Sequence, residues 1–346
     1  MRTDGTTVQL TALLCLGGTL LASLFARPHL PSQFVRDDGH IRRAILDPHT
    51  TDAASFRTIA QLYRTLGLAE AAPLAALLGA GVFVVAVFAA IGWQDLGRLT
   101  WVGPLLLAGA CGVAVVYLGQ FSKELVTVSV AAIVLLLPRT LLGEAGVVLV
   151  CLLHGLLLRP YWVLIALLYV AVRLLRHHRA HPLLLVAALV AGYAALGIAF
   201  SLVLGGGLES QREWMNAERA GTAVDTLIVG PFPEATGMLS VLSVLTVLGM
   251  LLLPLPLLAS GEAEHIAAAV LIATVWVLVL REMLRRDQAP ALSTPNAPRA
   301  ACLLLAVVTV QALFEPDYGS YLKHLAGLMP LALALVPLRP VAEVRS

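Results

Sequence analysis

The sequence is poor in charge: only 13% of its 346 residues are Asp, Glu, Lys or Arg, and the formal net charge is +2. A soluble domain carries about 25% charged residues, whereas 59% of this chain is hydrophobic. The shortage of charge excludes a soluble enzyme and a disordered protein, and the small net charge provides no field that would attract nucleic acid. The composition therefore predicts an integral membrane protein.

Cysteine is also scarce, because the chain has four, each inside an apolar run and none at the spacing of a metal-ligand pair. They are predicted to be small packing residues rather than disulfide or zinc partners. The chain also lacks a phosphate-binding glycine loop, a nucleophile elbow and an HExxH pattern, so we expect neither a cofactor nor a metal. The first apolar stretch ends without a small-x-small cleavage pattern, which predicts a retained membrane anchor.

Long apolar runs are abundant, and a helix needs about 20 such residues to cross a bilayer. Runs of this length lie near residues 8–26, 72–92, 101–119, 141–158, 182–204, 237–259 and 264–280. Shorter runs between charged or Pro-marked boundaries lie at 125–138, 161–175, 300–314 and 325–338. The sequence thus predicts an all-α bundle of about 10–11 transmembrane helices, forming a single transmembrane domain over residues 1–346.

Two short basic loops, 173–181 and 281–299, are predicted to be cytoplasmic by the positive-inside rule. Three apparent crossings lie between them, and an odd number cannot return the chain to the same side. The run 237–259 is therefore predicted to be broken or re-entrant, since it contains Pro254 and Pro256.

The longer hydrophilic segments, 27–71 and 205–236, are predicted to be external loops. Loop 27–71 contains an amphipathic helix at 52–66, with Asp52 placed to cap it. This helix is expected to lie on the membrane surface or over the external mouth of the bundle.

Charges beside apolar helices are costly, so each marks a candidate site. Four polar segments stand at such positions: Arg36-Asp37-Asp38, Lys123-Glu124, Arg159-Pro160-Tyr161 and the segment from Glu315 to His324. Each also has a structural interpretation. Lys123 and Glu124 can form a neutralising pair at a helix end, Arg159 can extend to the interface instead of binding a lipid diphosphate, and the paired acids can be solvated loop residues instead of a base or a metal site.

The last of these segments combines two carboxylates, two phenols, a lysine and a histidine between two apolar helices. Asp317-Tyr318-Gly319-Ser320 is favourable turn chemistry. A plain connecting turn would not require Lys323 and His324 at the start of the last helix, so a functional role is favoured here.

The motifs as a group resemble the Wzy/EpsG-type oligosaccharide polymerases of bacterial envelopes and their glycosyltransferase-C-like relatives. The resemblance rests on the acidic loop after the first helix and on short motifs at 122–124 (Ser-Lys-Glu), 159–161 (Arg-Pro-Tyr), 231–233 (Pro-Phe-Pro) and 319–324 (Gly-Ser-x-x-Lys-His). It covers most of the chain in layout. Lysine at 323 departs from the arginine that is more usual in the closing motif, and it offers a point charge in place of a bidentate fork.

The resemblance implies a reaction at the outer membrane boundary, between a polyprenyl-diphosphate-linked glycan and a sugar hydroxyl of a second lipid-linked unit. Membrane lipids and other envelope polysaccharide-assembly proteins would be further partners. The resemblance also implies residues that bind the substrate and neutralise the departing diphosphate. These are Arg36, Lys123, Arg159, Tyr161, Glu315, Tyr318, Lys323 and His324. The catalytic carboxylate that takes the acceptor proton is one of Glu124, Asp317, Asp37 and Asp38.

Two other classes of function compete with this prediction. A transporter or flippase for a lipid-linked or small anionic substrate would use Lys123, Glu124 and Arg159 to line a path, with charges well inside the bundle. A scaffold subunit would need none of the charges for more than stability. Because the charges cluster at helix ends, the sequence favours an enzyme of polysaccharide assembly, with a polymerase ahead of a single-sugar transferase.

Overall fold

The computed structural model describes residues 5–50, 54–178, 181–219, 226–285 and 293–340, and within them the chain is all-α with no strand. The α-helices are α1 (Gly5–Phe25), α2 (Arg36–Leu46), α3 (Ala54–Thr65), α4 (Ala72–Ile91), α5 (Val102–Leu118), α6 (Glu124–Leu136), α7 (Leu141–Leu157), α8 (Trp162–His177), α9 (Pro182–Leu204), α10 (Ser210–Arg219), α11 (Gly237–Leu252), α12 (Leu255–Ala259), α13 (Ala263–Leu284), α14 (Ala297–Phe314), α15 (Tyr318–Ala326) and α16 (Met329–Leu333). The prediction of an all-α fold is confirmed.

Five of the described helices are long and apolar enough to cross a membrane: α1, α4, α9, α13 and α14. Shorter apolar helices are α5, α6, α7 and α11. Several outward-facing side chains are large and apolar, such as Leu14 at 76% exposure and Leu202 at 80%. Such a surface favours aggregation in water and suits the hydrocarbon of a bilayer, as expected of a membrane protein.

Two of the predicted apolar runs are interrupted. α11 ends at Leu252 and α12 begins at Leu255, so the run 237–259 breaks at Pro254, as its prolines predicted. The run 325–338 is divided between the end of α15 and the five-residue α16. A helix rises about 1.5 Å per residue and the hydrocarbon core is about 30 Å thick, so the five-residue helices α12 and α16 are too short to cross it.

The amphipathic helix predicted at 52–66 is observed as α3, Ala54–Thr65, and its apolar residues Ile59 and Tyr63 are buried. They pack with Ile41 of α2 and with Phe121. The apolar face of α3 is therefore covered by protein. The proposed cap, Asp52, lies outside the described residues.

The chain divides into two compact units. Unit 1 comprises Met1–Ala166, Arg286–Ala301 and Lys323–Ser346, and unit 2 comprises Leu167–Arg285 and Cys302–Leu322. In unit 1, α1 and α4 to α7 run alternately between two ends. The upper end is defined by α2, α3 and the turns at 119–123 and 158–161, and the lower end by the turns at 92–101 and 137–140 and by residues 293–299.

Small residues allow the helices of unit 1 to approach closely. α4 buries Ala75, Ala76, Gly79 and Ala80. A Cβ atom on Gly79 would clash with the carbonyl oxygen of Leu118 at the end of α5, so a larger residue would force α4 and α5 apart. Packing through small residues is typical of helices in lipid, where apolar surface alone does not drive association.

In unit 2, the loop 205–236 is hydrogen-bonded to the segment that follows α14. The backbone N–H of Ile228 donates to the carbonyl of Pro316 at 2.8 Å, and that of Tyr318 donates to Thr226 at 3.1 Å. At the start of α10 the buried Arg212 pairs with Glu209 and donates to the carbonyl of Ala312 at 2.6 Å. The described part of loop 205–236 is thus fixed against the end of α14.

Arg299 closes the lower end of unit 1. Its buried guanidinium donates to the carbonyls of Val134, Leu137 and Pro138 at 2.8–3.1 Å and to Glu144 Oε1 at 3.0 and 3.1 Å. The carbonyls at the end of α6 have no partner within their own helix, and this one side chain supplies several of their hydrogen bonds.

We expect Arg299→Ala to lower the apparent melting temperature of the detergent-solubilised protein by several degrees, because it removes the ion pair with Glu144 and the hydrogen bonds to three backbone carbonyls, at a cost of about 2 kcal/mol or more. Differential scanning fluorimetry measures this. Arg139→Ala is the control, since Arg139 is exposed and lies in the turn at 137–140, whose carbonyls Arg299 contacts. Equal melting temperatures for the two variants would contradict the role of Arg299.

Candidate functional site

The chain contains 21 arginines but only two lysines, Lys123 and Lys323, and both contact one carboxylate. Lys323 Nζ donates to Asp37 Oδ2 at 3.1 Å, and Lys123 Nζ lies 3.9 Å from the same oxygen. All three residues belong to unit 1 and meet at its upper end. We call these three residues the lysine cluster.

Each member of the lysine cluster is held by a different element. Asp37 lies in the first turn of α2, where the helix dipole favours a negative charge. Lys123 ends the turn before α6, and Lys323 lies in α15. The three side chains are 17–22% exposed. The cluster is therefore half-buried, and a ligand in solvent or at the membrane surface can reach it.

In the lysine cluster, burial and the neighbouring charges shift the pKa values in opposite directions. Burial lowers the pKa of Lys123 to about 8, although the Asp37 carboxylate acts in the other direction. Burial alone would raise the pKa of Asp37, but Lys323 and Lys123 outweigh it and hold that pKa well below its usual range. Lys123 also lies over the ring of Phe56, 3.7 Å from the centroid, which favours its charged form. At neutral pH the cluster thus has a net positive charge.

A second ion pair joins Glu124 to Arg159. The guanidinium donates to both carboxylate oxygens, with Nη1 to Oε2 at 3.3 Å and Nη2 to Oε1. Glu124 is fully buried at the start of α6, and Arg159 is 9% exposed in the turn between α7 and α8. His324 lies within electrostatic range of Glu124, and Tyr161 within range of Arg159. Neither partner of such a pair can be removed without leaving a buried charge.

Asp38 belongs to a separate network, although it is the neighbour of Asp37. Its side chain is fully buried and accepts hydrogen bonds from Arg27 Nε at 2.8 Å and Arg42 Nε at 2.6 Å. It also accepts from the backbone N–H of Phe121 at 3.2 Å. This candidate catalytic base is therefore surrounded by permanent partners, and it joins the start of α2 to the turn that contains Lys123.

α3 also contacts the turn at 119–123 that contains Lys123. The Tyr63 hydroxyl donates to the carbonyl of Ser122 at 3.2 Å and accepts from its N–H at 3.1 Å. Both backbone groups of a non-helical residue are thus satisfied by one phenol. The Tyr63 ring also meets Phe121 edge to face, with centroids 4.7 Å apart. α3 therefore positions Lys123 and Glu124, which follow directly.

The remaining predicted residues lie elsewhere. Arg36 is exposed on the first turn of α2. In unit 2, Asp317 pairs with Arg219 and accepts from the N–H of Ser320 at 2.7 Å. Also in unit 2, Glu315 accepts from Gln311 at 3.4 Å, and the Tyr318 hydroxyl donates to a backbone carbonyl of α11 at 3.1 Å. The predicted residues that the structure brings together in unit 1 are Asp37, Lys123, Glu124, Arg159 and Lys323, with Tyr161 and His324 close to them.

His154 was not predicted from the sequence, yet it lies beside the Glu124–Arg159 pair. It is 3% exposed, it is within electrostatic range of both, and its ring meets that of Trp162 edge to face at 4.4 Å. The sequence does contain a signal. His154 shares the buried face of α7 with Cys151 and precedes Arg159 by little more than one helical turn.

One group in the described part of the chain has three potential metal ligands within 4.8 Å of one another: Glu262, Glu264 and His265. The two acids are exposed, and His265 Nδ1 lies 3.0 Å from the hydroxyl of Ser260. We assign no metal role to this surface group, which is consistent with an ordinary helix start.

The chemistry available at the upper end of unit 1 follows from these contacts. Two ammonium groups that share one carboxylate can bind an anionic ligand, and the carboxylate can accept a proton once the ammonium groups engage that ligand. No protein-family model, curated protein or solved structure matches the chain. The functional argument therefore depends on this site.

The scarcity of lysine allows the lysine cluster to be titrated directly. We expect the Lys123 signal of protein labelled with ¹³C at lysine Cε to titrate near pH 8, since burial lowers its pKa from the ordinary 10.5. The charge is therefore present at pH 7 and lost as the pH rises through 8. NMR of Lys323→Arg, in which one lysine signal remains, measures this, and Asp37→Asn should lower the midpoint further. A midpoint near 10.5 would refute the described burial of Lys123.

We expect Tyr63→Phe to destabilise the protein by about 1–3 kcal/mol, because the N–H and carbonyl of Ser122 lose their partner. It should also shift the lysine signal of Lys123, which follows Ser122. Tyr193→Phe is the matched control: that buried hydroxyl donates to Thr309 in unit 2, so its loss should lower stability but leave the Lys123 signal in place. A Lys123 signal that moves equally in both variants would contradict the positioning role of Tyr63.

Proposed function

We propose that this protein is a membrane-embedded enzyme of polysaccharide assembly that transfers or polymerises glycan from a polyprenyl-diphosphate-linked donor in the plasma membrane. The observation that carries the proposal is the lysine cluster, with Lys123 and Lys323 on the single carboxylate of Asp37. A diphosphate ester has at least two negative charges, and this cluster has one more cation than anions. The resemblance of the Ser-Lys-Glu, Arg-Pro-Tyr and Gly-Ser-x-x-Lys-His motifs supports the same substrate class.

In the proposed reaction a hydroxyl oxygen of the acceptor sugar forms a bond to the anomeric carbon of the donor, and the bond from that carbon to the diphosphate oxygen breaks. Asp37 takes the hydroxyl proton, and Lys123 and Lys323 bind the departing diphosphate. The lysines depress the pKa of Asp37 while they contact it. When they turn to the diphosphate, Asp37 becomes a stronger base at the moment when the proton must be taken.

Among the candidate bases, accessibility favours Asp37. Its side chain is 20% exposed, whereas Glu124 is fully buried and bound to both terminal nitrogens of Arg159. Asp38 is fully buried with two arginines. Asp317 belongs to unit 2 and is paired with Arg219. We therefore assign proton transfer to Asp37 and positioning to Asp38 and Glu124.

The proposal includes a topology of about 10–11 crossings with the upper end of unit 1 on the external side. In support of this, α1 and α4 to α7 alternate between the two ends, so the loop with Asp37 and the turns with Lys123 and Arg159 share one end. Charges at helix ends avoid the cost of charges at the bilayer centre. Envelope polysaccharide-assembly proteins would be neighbours at that surface.

The test is made in cells of the source organism, with surface glycan and lipid-linked repeats separated on gels. Deletion of the gene should remove the long ladder and cause single lipid-linked repeats to accumulate. The wild-type gene should restore the ladder, and Asp37→Asn should fail to do so, because loss of a general base costs about 100-fold or more in rate. Lys323→Ala should fail as well. Arg139→Ala is the matched control, since it removes an exposed charge at the lower end of unit 1.

Two outcomes would contradict the proposal. An unchanged ladder in the deletion strain would exclude the polymerase. Accumulated repeats that resist oxidation by periodate added outside intact cells would indicate that the substrate has not crossed the membrane, which would favour a flippase. Immunoblotting of each variant confirms that the amount of protein in the membrane is unchanged.

A further inference from the structure

His154 is a buried polar side chain with no assigned partner in unit 1. It is 3% exposed, and neither Nδ1 nor Nε2 has a hydrogen-bond partner among the residues that the structure describes. Buried polar atoms are nearly always hydrogen-bonded, so an exception indicates strain, a bound water or a ligand contact. The surrounding helix ends are regular, because the carbonyl of His154 accepts from the N–H groups of Leu158 and Arg159 at 3.0 and 3.2 Å. The regular backbone favours a ligand contact over strain.

The residues around His154 extend the candidate site from the lysine cluster into the buried part of unit 1. Exposure of the side chains falls from 20% at Asp37 to 9% at Arg159 and 0% at Glu124. His154 lies within electrostatic range of Arg159, Glu124 and His324, and its ring meets that of Trp162 edge to face. The site therefore passes from a partly exposed cationic part, the lysine cluster, to a dry part beside the Glu124–Arg159 pair.

The two parts suit different chemical groups. A neutral imidazole offers one N–H donor and one nitrogen acceptor. Diphosphate oxygens without protons only accept, so they would satisfy the donor and leave the acceptor unpaired. Hydroxyl groups both donate and accept, so they can pair with either nitrogen. Glu124 cannot replace them, because an ionised carboxylate only accepts and would leave the acceptor nitrogen of the imidazole unpaired.

We propose that His154 binds hydroxyl groups of the sugar that is attached to the diphosphate, so that the site recognises the two parts of the donor separately. The lysine cluster binds the charged diphosphate, and His154 binds the polyol beside it. This inference rests on the proposed function, and it adds a residue that determines specificity for the sugar.

The test compares ligands with and without a sugar on the full chain in detergent. Kd values are measured for farnesyl diphosphate and for its glucosyl, galactosyl and N-acetylglucosaminyl derivatives. We expect at least one sugar-bearing ligand to bind the wild type about fivefold or more tightly than farnesyl diphosphate, the ratio expected of one or two net hydrogen bonds. We call the Kd for farnesyl diphosphate divided by the Kd for the sugar-bearing ligand the sugar ratio. His154→Leu should reduce the sugar ratio to about one and leave the Kd for farnesyl diphosphate within about twofold of the wild-type value.

Cys151→Ala is the matched control, because Cys151 is fully buried on the same face of α7 and its loss changes packing without removing a hydroxyl-binding group. It should retain the sugar ratio. If His154→Leu does not fold, His154→Phe, which fills more of the volume beside Trp162, is measured instead. Lys323→Ala should weaken binding of every ligand by a similar factor, which separates the two parts of the site.

The outcomes are distinct for the two proposals. A sugar ratio that survives the loss of His154, or a wild type that binds no sugar-bearing ligand more tightly than farnesyl diphosphate, would overturn the role of His154 and leave the proposed function intact. A wild type that does not bind farnesyl diphosphate would overturn the proposed function, and the inference with it.

Discussion

The upper end of unit 1 depends on the pairing of one buried carboxylate, Asp38. A carboxylate removed from water must find cations and N–H donors, and Asp38 finds them in Arg27, Arg42 and the backbone of Phe121. These partners come from the end of α1, from α2 and from the turn after α5. Satisfying this one charge therefore brings three segments together, and the adjacent Asp37 is directed to Lys123 as a consequence.

The neighbours Asp37 and Asp38 illustrate how surroundings separate two identical side chains. Asp38 has permanent partners and no exposure, which suits it to a structural task. Asp37 is partly exposed and contacts two ammonium groups on flexible side chains, which can also pair with another anion. Lysine suits this exchange better than arginine, since its charge is a compact point on a flexible stem rather than a rigid fork. The departure from arginine at position 323 is thus compatible with the proposed chemistry.

The sequence was sufficient to predict the all-α fold, most helix positions and the break at Pro254, because apolar run length and proline act locally. It also indicated Asp37, Lys123, Glu124, Arg159 and Lys323 as candidate site residues, since a charge beside an apolar helix has a high desolvation cost in any fold. It could not separate Asp37 from Asp38, because their partners are distant in sequence. It overlooked His154 and Tyr63, whose importance depends on contacts made across the fold: a histidine in an apolar helix and a tyrosine in an amphipathic one look like ordinary packing residues until their neighbours are known.

The use of lysine at only two positions has a consequence for the reactivity of the whole molecule. Every other basic side chain is arginine or histidine, and neither forms a stable amide with an activated ester. Activated esters can therefore form stable side-chain amides only within the lysine cluster. A lysine-specific protease would likewise divide the denatured chain into three pieces, 1–123, 124–323 and 324–346. A label attached to a side chain through such an amide therefore reports on the lysine cluster.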